Sequence, residues 1–180
     1  GLITHYQYIA DRVNSPIILY NVPSRTGTNI APATYEALSH HENIVAVKEA
    51  NGDFSALMKT IQLCEGRLDI YSGNDDQVLP MMSLGGKGVI SVFSNLAPAI
   101  SSKMCRLYLS GEREEALRMQ MKYLDVMNDL FLDVNPIPVK EAMNLAGMQV
   151  GPCRLPLVAT SSEKQEMIGE SMRRAGLLAD

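Results

Sequence analysis

Pro16-Ile17-Ile18-Leu19-Tyr20-Asn21-Val22-Pro23-Ser24-Arg25-Thr26-Gly27 opens on an apolar run, breaks at a proline and reaches an arginine beside a Thr-Gly pair. Farther along, Val45-Ala46-Val47-Lys48-Glu49-Ala50-Asn51-Gly52-Asp53 repeats the plan, with a short apolar run, polar residues and a turn. Short apolar runs bounded by turn residues read as buried strands. Strands that alternate with helical patterns imply βα units and a parallel sheet. Tyr20 and Lys48 each fall near the carboxyl end of their strand, the end that carries chemistry in such sheets.

The residue types at those ends suit carbonyl chemistry. Alternation predicts Val45 and Val47 on one face of the second strand and Ala46 and Lys48 on the other. A lysine desolvated in an apolar setting becomes a nucleophilic amine able to form a Schiff base. A neighbouring tyrosine can pass protons to and from the carbinolamine, and an arginine can grip a carboxylate with its planar fork. Each residue also has a plain structural reading. Lys48 can snorkel to solvent or pair with Glu49, Tyr20 can be a core ring with its hydroxyl outside, and Arg25 can be a surface charge. The three together favour a site.

Outward from these strands the alternation continues. Leu2, Ile3, Tyr6, Ile9, Ala10 and Val13 recur at helical spacing. Strands are expected near Pro16–Asn21, Ile44–Lys48, Leu68–Ser72 and Gly88–Val92. Helices are expected from Ala31-Pro32 to Leu38, from Asp53 or Ser55 to Cys64, and from Asp75 or Asp76 to Leu84, the acidic residues serving as caps. Beyond the fourth strand the pattern is helical only: Pro98 to about Gly111, Ala116 to Phe131, Val139 to Leu145, and Ser161 to Arg174 with a serine cap. Asn135-Pro136-Ile137-Pro138 interrupts these helices.

The run Tyr20 to Gly27, followed by Val47-Lys48-Glu49-Ala50, closely resembles the dihydrodipicolinate synthase family, pyruvate-dependent class I aldolases related to N-acetylneuraminate lyase. Tyr71-Ser72-Gly73-Asn74-Asp75-Asp76, Gly88-Val89-Ile90-Ser91-Val92 and Asn135-Pro136-Ile137-Pro138-Val139-Lys140 match in the same order. The resemblance implies an α/β fold, the second half of a TIM (β/α)8 barrel with four parallel βα units and a C-terminal helical extension. It divides the chain into a half barrel at 1–110, carrying strands five to eight, and a helical region at 111–180. Whole barrels of this kind take about 250 residues, against 180 here.

By the same resemblance Lys48 condenses with pyruvate, Tyr20 shuttles the proton and Arg25 binds the carboxylate of aspartate semialdehyde. Backbone groups at Gly73 and Ile90 border the pyruvate carboxylate, and Asn135 approaches the mouth of the site or simply stops a helix. Arg25 favours the synthases over the sialic acid lyases. No cofactor or metal is implied, because the lysine is the electron sink. The family's relay threonine, second tyrosine and lysine feedback site belong to the first half and have no counterpart here. A homo-oligomer, or a separate amino-terminal half, is therefore the expected partner. The alternative is a non-catalytic truncated barrel serving as an assembly module.

Composition limits the other classes. A net charge of −4 gives no reason to expect nucleic acid or an anionic membrane surface. No apolar run approaches the ~20 residues of a transmembrane helix, and no basic segment leads into an apolar signal core. Cys64, Cys105 and Cys153 are widely spaced, without a metal-ligand pattern, and suit a reducing cytoplasm. Gly85-Gly86-Lys87-Gly88 lacks the spacing of a phosphate loop and reads as a helix-to-strand turn. His5, His40 and His41 have no third ligand in the pattern, so a metal site is not expected.

Overall fold

The structure is a computed structural model that describes residues 1–179. They form two compact units, Gly1–Ile90 and Ser91 onward. In the first, four parallel strands lie in the order of the chain: β1 (Ile17–Asn21), β2 (Ile44–Glu49), β3 (Asp69–Ser72) and β4 (Gly88–Val89). Helices alternate with them: α1 (Leu2–Ala10), α2 (Pro23–Thr26), α3 (Pro32–Leu38), α4 (Phe54–Cys64) and α5 (Val78–Ser83). The sequence signals for these elements act as expected at several ends. Asp53 caps α4 by accepting from the Ala56 N–H at 2.9 Å. Pro32 sits in the first turn of α3, where its missing N–H costs nothing. Gly27 ends α2 in the left-handed region at φ 68°, so the Thr-Gly after Arg25 is a helix stop.

The core of this unit lies on the helix side of the sheet. Leu19, Ile44, Val47 and Ile70 pack there with Ala10, Tyr35, Leu38, Leu57 and Cys64. The expected pairing of Val45 with Val47 on one face does not hold. Ile17 pairs with Ile44 but Ile18 pairs with Ala46, so Val45 is an extra residue in β2, a bulge. The bulge leaves Val45 38% exposed while Ile44 and Val47 both reach the core.

Three further expectations need correction. The fourth strand pairs only over Gly88–Val89, and one more ladder bond follows, from the Ile90 N–H to the Ser72 carbonyl at 2.9 Å. The first helix stops at Ala10, short of Val13. Asp75 and Asp76 do not cap a helix; they form a 3-10 turn, Asp75–Gln77, and the Ser72 hydroxyl holds its entrance by accepting from the Asn74 N–H. Gly85-Gly86 is the tight turn anticipated: a side chain at Gly86 would stand 2.9 Å from the Met81 carbonyl oxygen.

The second unit is helical: α6 (Phe93–Leu96), α7 (Pro98–Leu109), α8 (Arg113–Asp129), α9 (Ile137–Leu145) and α10 (Ser162–Ala175). Its buried residues include Phe93, Met104, Val126, Met127, Leu130, Ile168 and Met172. The Phe93 and Tyr123 rings meet at 5.7 Å between centroids. Ser161 caps α10 through the Lys164 N–H at 3.4 Å. The Lys164 ammonium donates to Asp133 at 2.8 Å and holds that carboxyl below the usual carboxylate range. Asn135 lies in this unit, between α8 and α9.

Candidate active site

Register brings the two leading residues together. Tyr20 pairs with Lys48 across β1 and β2, and Lys48 pairs with Tyr71 across β2 and β3. All three side chains leave the sheet on the side away from the core. The Lys48 amine stands 4.1 Å from the centroid of the Tyr20 ring, within reach of a cation–π attraction. It is the face of the ring, rather than its hydroxyl, that meets the amine. Lys48 is half-buried, and Tyr20 keeps 42% of its surface exposed. Glu49 is not its partner, because alternation turns that carboxylate to the opposite face of the strand.

Gly73 makes room for the lysine. A side chain there would stand 2.6 Å from the Ala50 Cβ and 3.2 Å from the Lys48 Cε. The close neighbours that demand a glycine are thus the lysine stem and the end of β2. The Gly73 N–H donates to the Glu49 carbonyl at 2.7 Å, so this amide, like that of Ile90, is engaged in the sheet. The Ile90 side chain is exposed beyond the end of β4. Arg25 occupies the last turn of α2, directly after β1, and is exposed.

Behind Tyr20 and Lys48 lies a polar network that the sequence reading missed. Glu49 is buried, and both of its carboxylate oxygens accept hydrogen bonds. Asn21 Nδ2 donates to Oε1 at 2.9 Å and Oε2 at 3.1 Å, the Tyr35 hydroxyl donates to Oε2 at 2.9 Å, and the Asn51 N–H donates to Oε1 at 2.9 Å. Asn21 also donates to Asn29 at 2.7 Å and accepts from the Ile30 N–H at 3.1 Å. Burial pushes the Glu49 carboxyl above the usual carboxylate range, against the pull of these donors. Burial and the neighbouring carboxylate push the Tyr35 phenol upward, which keeps it a donor. Alternation contained the signal: Asn21 and Glu49 each follow a site residue and must face the other way.

The remaining motifs stay outside this site. Lys87 lies 3.8 Å from Asp69, and its N–H donates to the Ile70 carbonyl. His40 meets Glu36 and His41 meets Asp11. Among the described residues no group of three His, Cys, Asp or Glu is placed to hold a metal ion, and no helix is long and apolar enough to cross a membrane.

Parallel βα units in chain order, with a lysine near the carboxyl end of one strand beside a tyrosine on its neighbour, fit the (β/α) barrel class. The chain belongs to the dihydrodipicolinate synthetase family, whose model matches residues 1–175. It is 50% identical over 172 residues to 4-hydroxy-tetrahydrodipicolinate synthase of Clostridium novyi, covering 96% of this chain and 58% of that protein. The dihydrodipicolinate synthase structure from Thermotoga maritima matches with a TM-score of 0.95 at 40% identity, over 99% of this chain and 62% of that one. The Acinetobacter baumannii dihydrodipicolinate synthase, solved as a complex with pyruvate, matches with a TM-score of 0.94 at 36% identity, over 99% and 61%. The chain thus spans about three fifths of the length of these relatives. Its sheet and helices correspond to part of their TIM barrel and the helices that follow it, as expected for a half barrel.

Proposed function

We propose that these residues carry the lysine-bearing half of a Schiff-base lyase that condenses pyruvate with aspartate semialdehyde, on the route to diaminopimelate and lysine. The observation that carries this reading is the Lys48 amine held over the Tyr20 ring near the carboxyl ends of paired strands. The Lys48 amine adds to the ketone carbon of pyruvate, and loss of water leaves a protonated imine. Removal of a methyl proton gives an enamine, whose carbon attacks the aldehyde to form the new C–C bond. The substrate's own amine then adds to the imine carbon, closes the ring and releases Lys48. Tyr20 moves protons at its hydroxyl, Arg25 holds the carboxylate of the aldehyde, and Gly73 and Ile90 border the pyruvate. The covalent imine serves as the electron sink, so no separate cofactor takes part.

In this reading α7 is the last barrel helix, which puts the half barrel at residues 1–110 and the helical extension at 111–180. The open inner face of the sheet is closed by further βα units, and the assembled enzyme is a homo-oligomer working in the cytoplasm. Product formation from pyruvate with aspartate semialdehyde, compared with a sugar aldehyde, tests the substrate. Arg25 predicts turnover of the semialdehyde and its loss in Arg25→Ala; turnover of the sugar aldehyde alone would assign the chain to the sialic acid lyases. A non-catalytic assembly module is the second reading, favoured by the exposed Ile18, Tyr20 and Ile90.

A further inference from the structure

We infer that Glu49 is a positioning residue, whose buried carboxylate sets the register and separation of Tyr20 and Lys48 and anchors the segment that follows Arg25. The inference rests on the Schiff-base reading for its consequence in catalysis, but its geometry stands apart from it. Asn21 and Glu49 are paired in the sheet, as are Tyr20 and Lys48 one residue earlier. A bond between the first pair on the helix side therefore fixes the second pair on the open side, because consecutive side chains share one backbone. The open side has no packing of comparable extent to do this: Ile18, Tyr20 and Ile90 are all exposed.

The network reaches β1, the stretch after α2, α3 and the turn after β2, all of them close to Lys48. Through Asn21 it holds β1, and through Asn29 and the Ile30 N–H it ties down the stretch after α2, which bears Arg25. Through Tyr35 it holds α3, and through the Asn51 N–H it holds the turn after β2. Every group that meets the carboxylate is a donor, namely an amide NH2, a phenol and a backbone N–H. A carboxylate matches that set at both oxygens. A glutamine does not, because its own NH2 would face donors whichever way it turned. The carboxylate is a short spring between two strands, and it sits where a misplacement of one ångström costs most.

The test reads the Tyr20–Lys48 geometry directly and does not depend on turnover. Reductive methylation with 13C-formaldehyde labels the lysine amines of the 180-residue chain, and Lys48→Arg assigns the Lys48 resonance. With its amine over the Tyr20 ring, Lys48 gives methyl signals displaced upfield from those of the exposed lysines. Glu49→Gln is expected to return them to the exposed-lysine position. Met82→Ala, a buried change in α5 away from the network, is expected to lower the melting temperature yet leave them displaced. Tyr35→Phe removes one donor and is expected to give an intermediate shift, which keeps the test open if Glu49→Gln fails to fold. Pyruvate trapping at Lys48, run in parallel, should slow on the order of tenfold to a hundredfold in Glu49→Gln. A displacement of wild-type size in Glu49→Gln, or in Tyr35→Phe where the former does not fold, overturns the inference, as does a wild-type signal with no displacement. A displaced wild-type signal that Glu49→Gln abolishes, in a chain that traps no pyruvate, would sink the Schiff-base reading and leave the positioning role standing.

Discussion

On the helix side of the sheet, Leu19, Ile44, Val47 and Ile70 are sealed beneath residues of α1, α3 and α4, whereas on the other side Ile18 and Tyr20 from the same strand stand exposed. The first face packs against residues of its own compact unit. The second carries Lys48, Tyr20 and the exposed end of β4. Stability and chemistry are therefore divided between the two faces of one sheet, with β1 contributing alternate residues to each. The Asn21–Glu49 pair, one residue beyond Tyr20 and Lys48, is a polar link between the two functions.

Substitutions along a single strand break the comparison most sharply. Leu19→Ala should cost about 2–5 kcal/mol of folding stability by opening a cavity on the sealed face. Ile18→Ala, one residue away, should change it by no more than about 0.5 kcal/mol. Denaturant titration of the two variants measures the difference, and equal losses would mean that the inner face is also packed. Gly73→Ala should cost about 1–3 kcal/mol through overpacking, since its methyl group meets Ala50 and the Lys48 stem. It should also slow Schiff-base formation; a loss of stability with trapping unchanged would remove Gly73 from the site.

The smallest effect is a pH dependence. Burial raises the Glu49 carboxyl above its ordinary range in the folded chain, so it binds its proton more tightly there than in the unfolded chain. Its contribution to stability is full below the ordinary carboxylate pKa and is lost as pH rises through the raised folded value. Across that window the wild type should lose stability relative to Glu49→Gln. Melting temperatures of both proteins at successive pH values check the sign, and parallel curves would contradict it.

Much of this organisation was legible in the residues. Apolar runs closed by turns located β1, β2 and β3, and Lys48 and Tyr20 fell at matching heights because both precede a turn at the carboxyl end. The bulge at Val45 was not legible, because register across a parallel pair is set by packing against helices that no local pattern describes. β4 was overdrawn for a similar reason: Ile90, Ser91 and Val92 have strand-like side chains, but pairing with β3 ends as that short strand ends. The plain structural alternative of a Lys48–Glu49 pair follows adjacency in sequence and fails on alternation, which sends the two side chains to opposite faces. The same period of two that exposed the lysine also buried the glutamate, and Tyr35, fourteen residues earlier, supplies a donor that only the folded chain brings near.

The most direct test of the account is reductive trapping: incubation of the chain with pyruvate and borohydride, intact mass, and peptide mapping, with Lys48→Ala as control. The account predicts one pyruvyl adduct, on Lys48, absent from the variant. A folded chain that gains no adduct, or gains it on another lysine, would contradict the claim that the open face of this sheet carries a Schiff-base lysine.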